Sequence, residues 1–300
     1  MKVLIAGGTG FIGRHLIKSL TADSHQVRVL SRNPNKLIKG AEVVKWDGQT
    51  TNGWGHLVEE IDAVVNLSGL SLYNWPWTAS KKQRFLDSRV EPGRALATAI
   101  KSASHRPEVF IQISGINHYG LRGEGIADES TPPGDDYLSQ LTVAWERATK
   151  SVEDVGVRHV ICRTAVVLAR DAILLRLMAL PVRLFIGGPI GSGDQALPWI
   201  HIDDHIGAIR FLMENSKAKG PFNLIAPQTT TNAEFMRTLA KVLRRPYWFR
   251  TPTFLTRLVL GEMSLLVTEG RFSKPEHMFE IGYNMRYTDL EEALRNIFEK

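Results

Sequence analysis

The apolar run Val3 to Ala6 passes directly into Gly7-x-x-Gly10-x-x-Gly13, and a helical pattern takes over from Arg14 to Leu20. No other stretch constrains the fold as tightly. A buried strand, a glycine turn and a helix, in that order, build a cradle for a dinucleotide pyrophosphate and imply a parallel sheet around it. Gly7 permits the tight turn, Gly10 lets the backbone approach the phosphates without a Cβ, and Gly13 lets the helix lie close to the strand. Thr9, Phe11 and Ile12 complete the loop, and the helix N-terminus turns unpaired N–H groups toward the anion. The plain alternative is a glycine-rich turn that holds no ligand.

The second strand, Gln26 to Leu30, indicates which dinucleotide is expected. A site for NAD(H) needs an acidic residue about 20 positions beyond the glycine turn, to accept from the ribose 2′-hydroxyl. Ser31 and Arg32 stand there instead, with Lys36 close behind. A hydroxyl and a guanidinium suit a 2′-phosphate, which Arg grips bidentately. The cofactor expected is therefore NADP(H), unless Arg32 is only a solvated loop cation.

With 300 residues, 43% of them hydrophobic, the chain can bury one large core or two modest ones. Its net charge of +6 is scattered among 31 acidic residues, which speaks against nucleic acid as a partner. The single cysteine, Cys162, excludes an intrachain disulfide and suits a reducing, cytoplasmic location. Charged residues and proline interrupt Ala172 to Gly188 and Phe254 to Val267, so neither reads as a membrane span. The partners expected are a small-molecule substrate and, at most, a second copy in a homodimer, with no membrane.

Val43 to Trp46, Ala63 to Leu67, Val109 to Ser114 and Arg158 to Arg163 read as further strands. Helices are predicted over Lys81 to Ala103 and Tyr137 to Val155. This alternation predicts an α/β fold, a Rossmann-like doubly wound parallel sheet with ligands beyond the carboxyl ends of its strands. After Arg163 come a glycine-rich loop, a strand over Trp199 to Ile202, and a helix capped by Asp203. Pro221 to Leu224 is a strand and Asn232 to Leu243 a helix. A last helix is opened by a capping box at Thr288-Asp289-Leu290-Glu291. Residues 1–166, rejoined by 203–225, are expected to form an NADP-binding Rossmann domain. Residues 167–202 and 226–300 are expected to form a small C-terminal substrate-binding domain that closes over the cofactor end of the sheet.

Several of these segments resemble a known family. Gly7 to Gly13, Asn66-Leu67-Ser68-Gly69, Ser88-Arg89 and the run from Trp199 to Asp204 look like the extended short-chain dehydrogenase/reductase superfamily. Gly187 to Gly193 with Gln195, Trp145-Glu146 and the tail from Gly261 to Leu294 resemble its YfcH-like branch. Members of that branch are atypical and are usually described as sugar-nucleotide epimerases of the NAD-dependent epimerase/dehydratase type. The resemblance implies that Gly7, Thr9, Gly10, Phe11, Ile12 and Gly13 form the phosphate loop. It gives Ser31, Arg32 and Lys36 to the 2′-phosphate, and Asn66, Leu67, Ser68 and Gly69 to the adenine-ribose side. Ser114 falls where a strand-end serine hydrogen-bonds substrate or nicotinamide.

The departures from that pattern bear on catalysis. Active members of the wider superfamily carry Tyr-x-x-x-Lys on the helix after the serine loop. Here Tyr137 is followed four places on by Leu141, and the register set by Glu146 offers Leu138 and Thr142. The usual proton relay is absent. Leu70 stands where the branch has an acidic residue, and Asp194 places a negative charge in the glycine-rich loop. The catalytic candidates are therefore Ser114, Tyr119 and His118, of which only the histidine titrates near neutrality in its ordinary state.

Arg89 is read as a further cofactor ligand, and Arg163, Gly191, Gln195 and Trp199 as substrate-binding residues, against surface salt bridges and a flexible lid. Trp75 and Trp77 either wall the pocket or belong to the core. His201 and His205 fall on a strand and on the next helix, so no metal site is expected. Two functions remain in play. One is an NADP(H)-dependent oxidoreductase or epimerase-like enzyme acting on a small polar substrate, nucleotide-linked or not. The other is a nonenzymatic NADP(H)-binding, redox-sensing protein, which the missing relay favours.

Overall fold

The structure, a computed structural model, describes residues 1–299. Its first half runs β1 (Lys2–Ala6), α1 (Phe11–Ala22), β2 (Gln26–Ser31), β3 (Ala41–Lys45), β4 (Ala63–Asn66), α2 (Ala79–Ser102), β5 (Val109–Gly115) and α3 (Tyr137–Arg147). It continues with β6 (Arg158–Thr164), β7 (Val166–Leu168), α4 (Ile173–Arg183), β8 (Trp199–His201), α5 (Ile202–Glu214) and β9 (Gly220–Leu224). The tail holds α6 (Asn232–Val242), α7 (Thr253–Leu260), α8 (Leu265–Thr268), α9 (Glu276–Glu280) and α10 (Leu290–Phe298).

Seven strands form one parallel sheet in the order β3-β2-β1-β4-β5-β6-β9, the doubly wound Rossmann arrangement expected. The central strands are buried on both faces, which explains their nearly continuous apolar sequence. Alternate residues part to opposite sides. Val3 and Ile5 join Leu16, Ile17 and Leu20 of α1, whereas Leu4 and Val64 meet Leu96 and Ile100 of α2. Beyond Thr164 the chain leaves the sheet and pairs β7 with β8 as a small second parallel sheet. The core containing Val3 continues without a break to Ile297 of α10.

Local expectations changed in three places. The helix from Tyr137 ends at Arg147, and Lys150–Val155 is a 3₁₀ segment closed by Gly156 in the left-handed region. Asp203 does not cap α5. The helix follows β8 directly, so the cap comes from the strand's last residue, His201, whose Nδ1 accepts from the Asp203 N–H at 3.1 Å. In the last helix Asp289, not Thr288, is the N-cap, accepting from the Glu292 N–H. A complete capping box lies instead at Thr231 and Glu234. Gly261, at φ +55°, splits the apolar run of the tail into two short helices separated by a 3₁₀ turn.

Candidate functional site

At the carboxyl end of β1, Gly7 turns with φ +77°, and a Cβ there would lie 2.7 Å from the Leu67 carbonyl. A Cβ on Gly13 would stand 2.5 Å from the Gly8 backbone, so only glycine allows α1 to pack where it does. Gly10 is exposed, and its N–H closes the turn onto the Gly7 carbonyl at 3.0 Å. α1 begins with no side-chain cap and no acidic residue in its first turn. The N–H groups of Phe11, Ile12 and Gly13 therefore have no protein acceptor among the described residues, and they converge with the positive helix end on one spot. This chemistry fits a pyrophosphate.

Beside it, at the end of β2, Ser31 Oγ donates to the Asn33 carbonyl and accepts from the Asn33 N–H. Arg32 is exposed, and its side chain makes no hydrogen bond or ion pair among the described residues. Lys36 Nζ reaches back to the Thr9 carbonyl at 3.5 Å, and Arg14 donates to the same oxygen at 3.2 Å. The mouth is ringed by cations with no acidic residue at the ribose position, a donor set that fits a 2′-phosphate.

After β4, Asn66 is fully buried. Its amide donates to Gln112 while its Oδ1 accepts from the Ser68 N–H, so it shapes the turn. Leu67 and Gly69 reach solvent, and Ser68 Oγ is buried without a partner. Arg89, expected as a cofactor ligand, is buried. Its guanidinium donates to the Leu70 and Phe85 carbonyls and lies 4.7 Å from the Trp145 ring centroid. It braces the loop that follows Gly69, and burial pulls its pKa down to about 10.

The next strand end carries a buried polar network. Ser114 Oγ donates to Glu146 Oε1 at 2.7 Å. Arg163 grips both oxygens of that carboxylate at 3.0 Å and also donates to the Tyr119 hydroxyl at 3.0 Å. Tyr119 in turn donates to Asn223 Oδ1 at 2.6 Å. His118 Nδ1 lies 3.4 Å from Glu146 Oε1 and has no hydrogen-bond partner.

The network corrects several readings. Tyr119 is wholly buried and committed at both ends of its hydroxyl, and burial raises its pKa to about 12, so it is not an available proton donor. His118 does not titrate near neutrality. Burial, opposed by Glu146 and aided by Arg163, lowers its pKa to about 4. Arg163 is spent on Glu146 and faces no open cleft. Trp199 is a core residue with no exposure, its indole N–H donating to Thr230 Oγ1. Gln195 uses its amide to pin the glycine-rich loop to the Ile190 and Val267 carbonyls. Gly191, at φ +63°, pairs its N–H with the Thr251 carbonyl. Ser114 alone keeps the expected place at a strand end, with an oxygen still able to accept.

Glu146 is the site residue that sequence reasoning passed over. Its signal was a carboxylate next to Trp145 on the buried side of α3. Tyr137 donates its hydroxyl to the Lys82 carbonyl, and the Lys82 ammonium sits over its ring, 4.8 Å from the centroid. Burial raises the Tyr137 pKa further. Trp77 packs on Phe85 and Tyr137, whereas Trp75 is exposed. His205 is fully buried, 3.1 Å from Thr164 Oγ1.

Comparison with known proteins places these features among relatives. The NAD dependent epimerase/dehydratase family matches residues 3–224, and a domain of unknown function (DUF1731) matches residues 251–297. The chain is 36% identical to the epimerase family protein YfhF of Bacillus subtilis, across 99% of this chain and 98% of that one. It is 37% identical to the epimerase family protein SDR39U1 of Bos taurus, over 99% of each chain. The crystal structure of human SDR39U1 (isoform 2) with NADPH superposes with a TM-score of 0.88 at 33% identity, covering 100% of this chain and 99% of that one.

Proposed function

Because this chain belongs to the NAD dependent epimerase/dehydratase family, we propose that it binds NADP(H) across the β1–α1 turn and acts as an oxidoreductase or epimerase-like enzyme on a small polar substrate. The observation that carries the cofactor reading is Arg32, without a partner among the described residues, beside the uncapped start of α1. The NADPH in the human relative's structure supports it. In this reading the first-turn N–H groups of α1 hold the pyrophosphate, while Ser31, Arg32 and Lys36 hold the 2′-phosphate. The bound nicotinamide supplies hydride chemistry. Glu146, clamped by Arg163, holds the serine proton toward itself, so Ser114 orients a substrate hydroxyl by accepting its hydrogen bond. Residues 167–202 and 226–300 contribute the substrate side.

One observation favours a second reading, a noncatalytic NADP(H)-binding protein. Leu141 stands four places after Tyr137 where the relay lysine would be, and burial raises the Tyr137 pKa, so little phenolate forms at neutral pH. Calorimetry on Arg32→Ala tests the cofactor reading. A charge-assisted contact of about 1.5–3 kcal/mol predicts at least tenfold weaker NADPH binding with NADH nearly unaffected. Equal losses for both cofactors would remove Arg32 from the 2′-phosphate. Conversion of sugar nucleotides and carbonyl compounds by the cofactor-loaded protein, read as substrate isomerised or reduced, then separates enzyme from sensor.

A further inference from the structure

The strongest feature outside the cleft is an apolar surface facing outward. Along α4, Ile173, Leu177, Leu180 and Leu184 recur at helical spacing and are each at least half exposed, although Leu174, Leu175, Met178 and Val182 of the same helix are buried. α7 is inverted. Its only buried residue is Thr256, while Phe254, Leu255, Leu258 and Val259 face solvent. The two segments are continuous. The Trp248 and Phe249 N–H groups bond to the Gly187 carbonyl, the Trp248 indole donates to the Phe185 carbonyl, and Ile190 pairs with Thr251. Trp248 itself is 74% exposed. Contiguous apolar surface of this kind marks an interaction site.

Its charges select the occupant. No Asp or Glu occurs from Ala172 to Gly193 or from Phe235 to Gly261. Arg176, Arg183, Arg244, Arg245, Arg250 and Arg257 are exposed there, and none pairs with a carboxylate among the described residues. Arginines interleaved with Trp, Phe and Leu are the composition of a surface that lies in a bilayer interface. A second copy docking on the same face would set arginines against arginines. We propose that α4, the Phe185–Thr251 strip and α7 form a peripheral docking face for an anionic lipid bilayer. None of the described helices is long and apolar enough to cross a membrane, and this contact requires no crossing. The proposal is independent of the dinucleotide site.

Co-sedimentation of the full chain with two kinds of vesicle tests it: phosphatidylcholine alone, and phosphatidylcholine with about one quarter phosphatidylglycerol. The protein is expected to pellet with the anionic vesicles only, to be released in high salt as the charges are screened, and to show a blue shift in fluorescence that Trp248→Phe reduces. Leu258→Asp and the pair Arg176→Glu with Arg257→Glu, all at exposed positions, are expected to lower the bound fraction at least tenfold while NADPH binding is retained. Equal binding to neutral vesicles, no binding to anionic ones, or undiminished binding by Leu258→Asp would each overturn the proposal. So would a wild-type dimer that Leu258→Asp turns into a monomer, since that would give the face to a second copy.

Discussion

Glu146 accepts from Ser114 and from two nitrogens of Arg163 inside a site where all three residues are buried. Removing its charge strands the Arg163 guanidinium, so Glu146→Gln is expected to cost about 3–5 kcal/mol of stability by urea denaturation. Ser114→Ala deletes one donor to that carboxylate and leaves the ion pair intact, a loss of about 1.5–3 kcal/mol. If Ser114 orients substrate, the same variant binds NADPH normally and turns over poorly. A fully active Ser114→Ala beside a dead Tyr137→Phe would reverse the catalytic assignment. Ser114 was visible in the sequence because it ends an apolar strand. Its partners were not, since Glu146, Arg163 and Asn223 come together from α3, β6 and β9.

At the scale of elements, the start of α1 separates a glycine needed for binding from one needed for folding. Gly10 has an extended backbone, with φ −75° and ψ −179°, and a Cβ there meets only the Gly7 carbonyl at 3.2 Å. Gly10→Val is therefore expected to fold and to lose NADPH, because the side chain occupies phosphate space. Gly13→Val drives its Cβ into the Gly8 backbone and is expected to destabilise the fold by about 1–3 kcal/mol or more, as overpacking does. Thermal melts with and without NADPH distinguish the two, and a Gly10→Val protein that binds normally would make the loop structural only. The caps show where local reading fails. Thr288 and Asp203 have capping chemistry, but where β8 ends fixed His201 as the cap of α5.

Across the whole molecule, burial lowers His159 and pulls two other histidines down furthest, His118 to about 4 and His205 to about 3 from 6.5. The unfolded chain takes up protons in this range that the fold refuses. Their contribution to stability is thus complete above pH 6.5 and lost as pH falls through 4. Together they predict a slope approaching about 2.7 kcal/mol per pH unit near pH 5. Urea denaturation from pH 7 to 4 measures this, and His118→Asn with His205→Asn should flatten it; an unchanged slope assigns the loss to other groups. By itself the sequence determined the parallel sheet, the glycine turn after β1 and the basic residues after β2, because strand periodicity, glycine spacing and the residue after β2 are local. Tertiary structure alone decided that Tyr119, Arg89, Arg163 and Trp199 face inward. Burial depends on what packs over a side chain, and here that cover comes from distant segments, as Asn223 does for Tyr119 from 104 residues away.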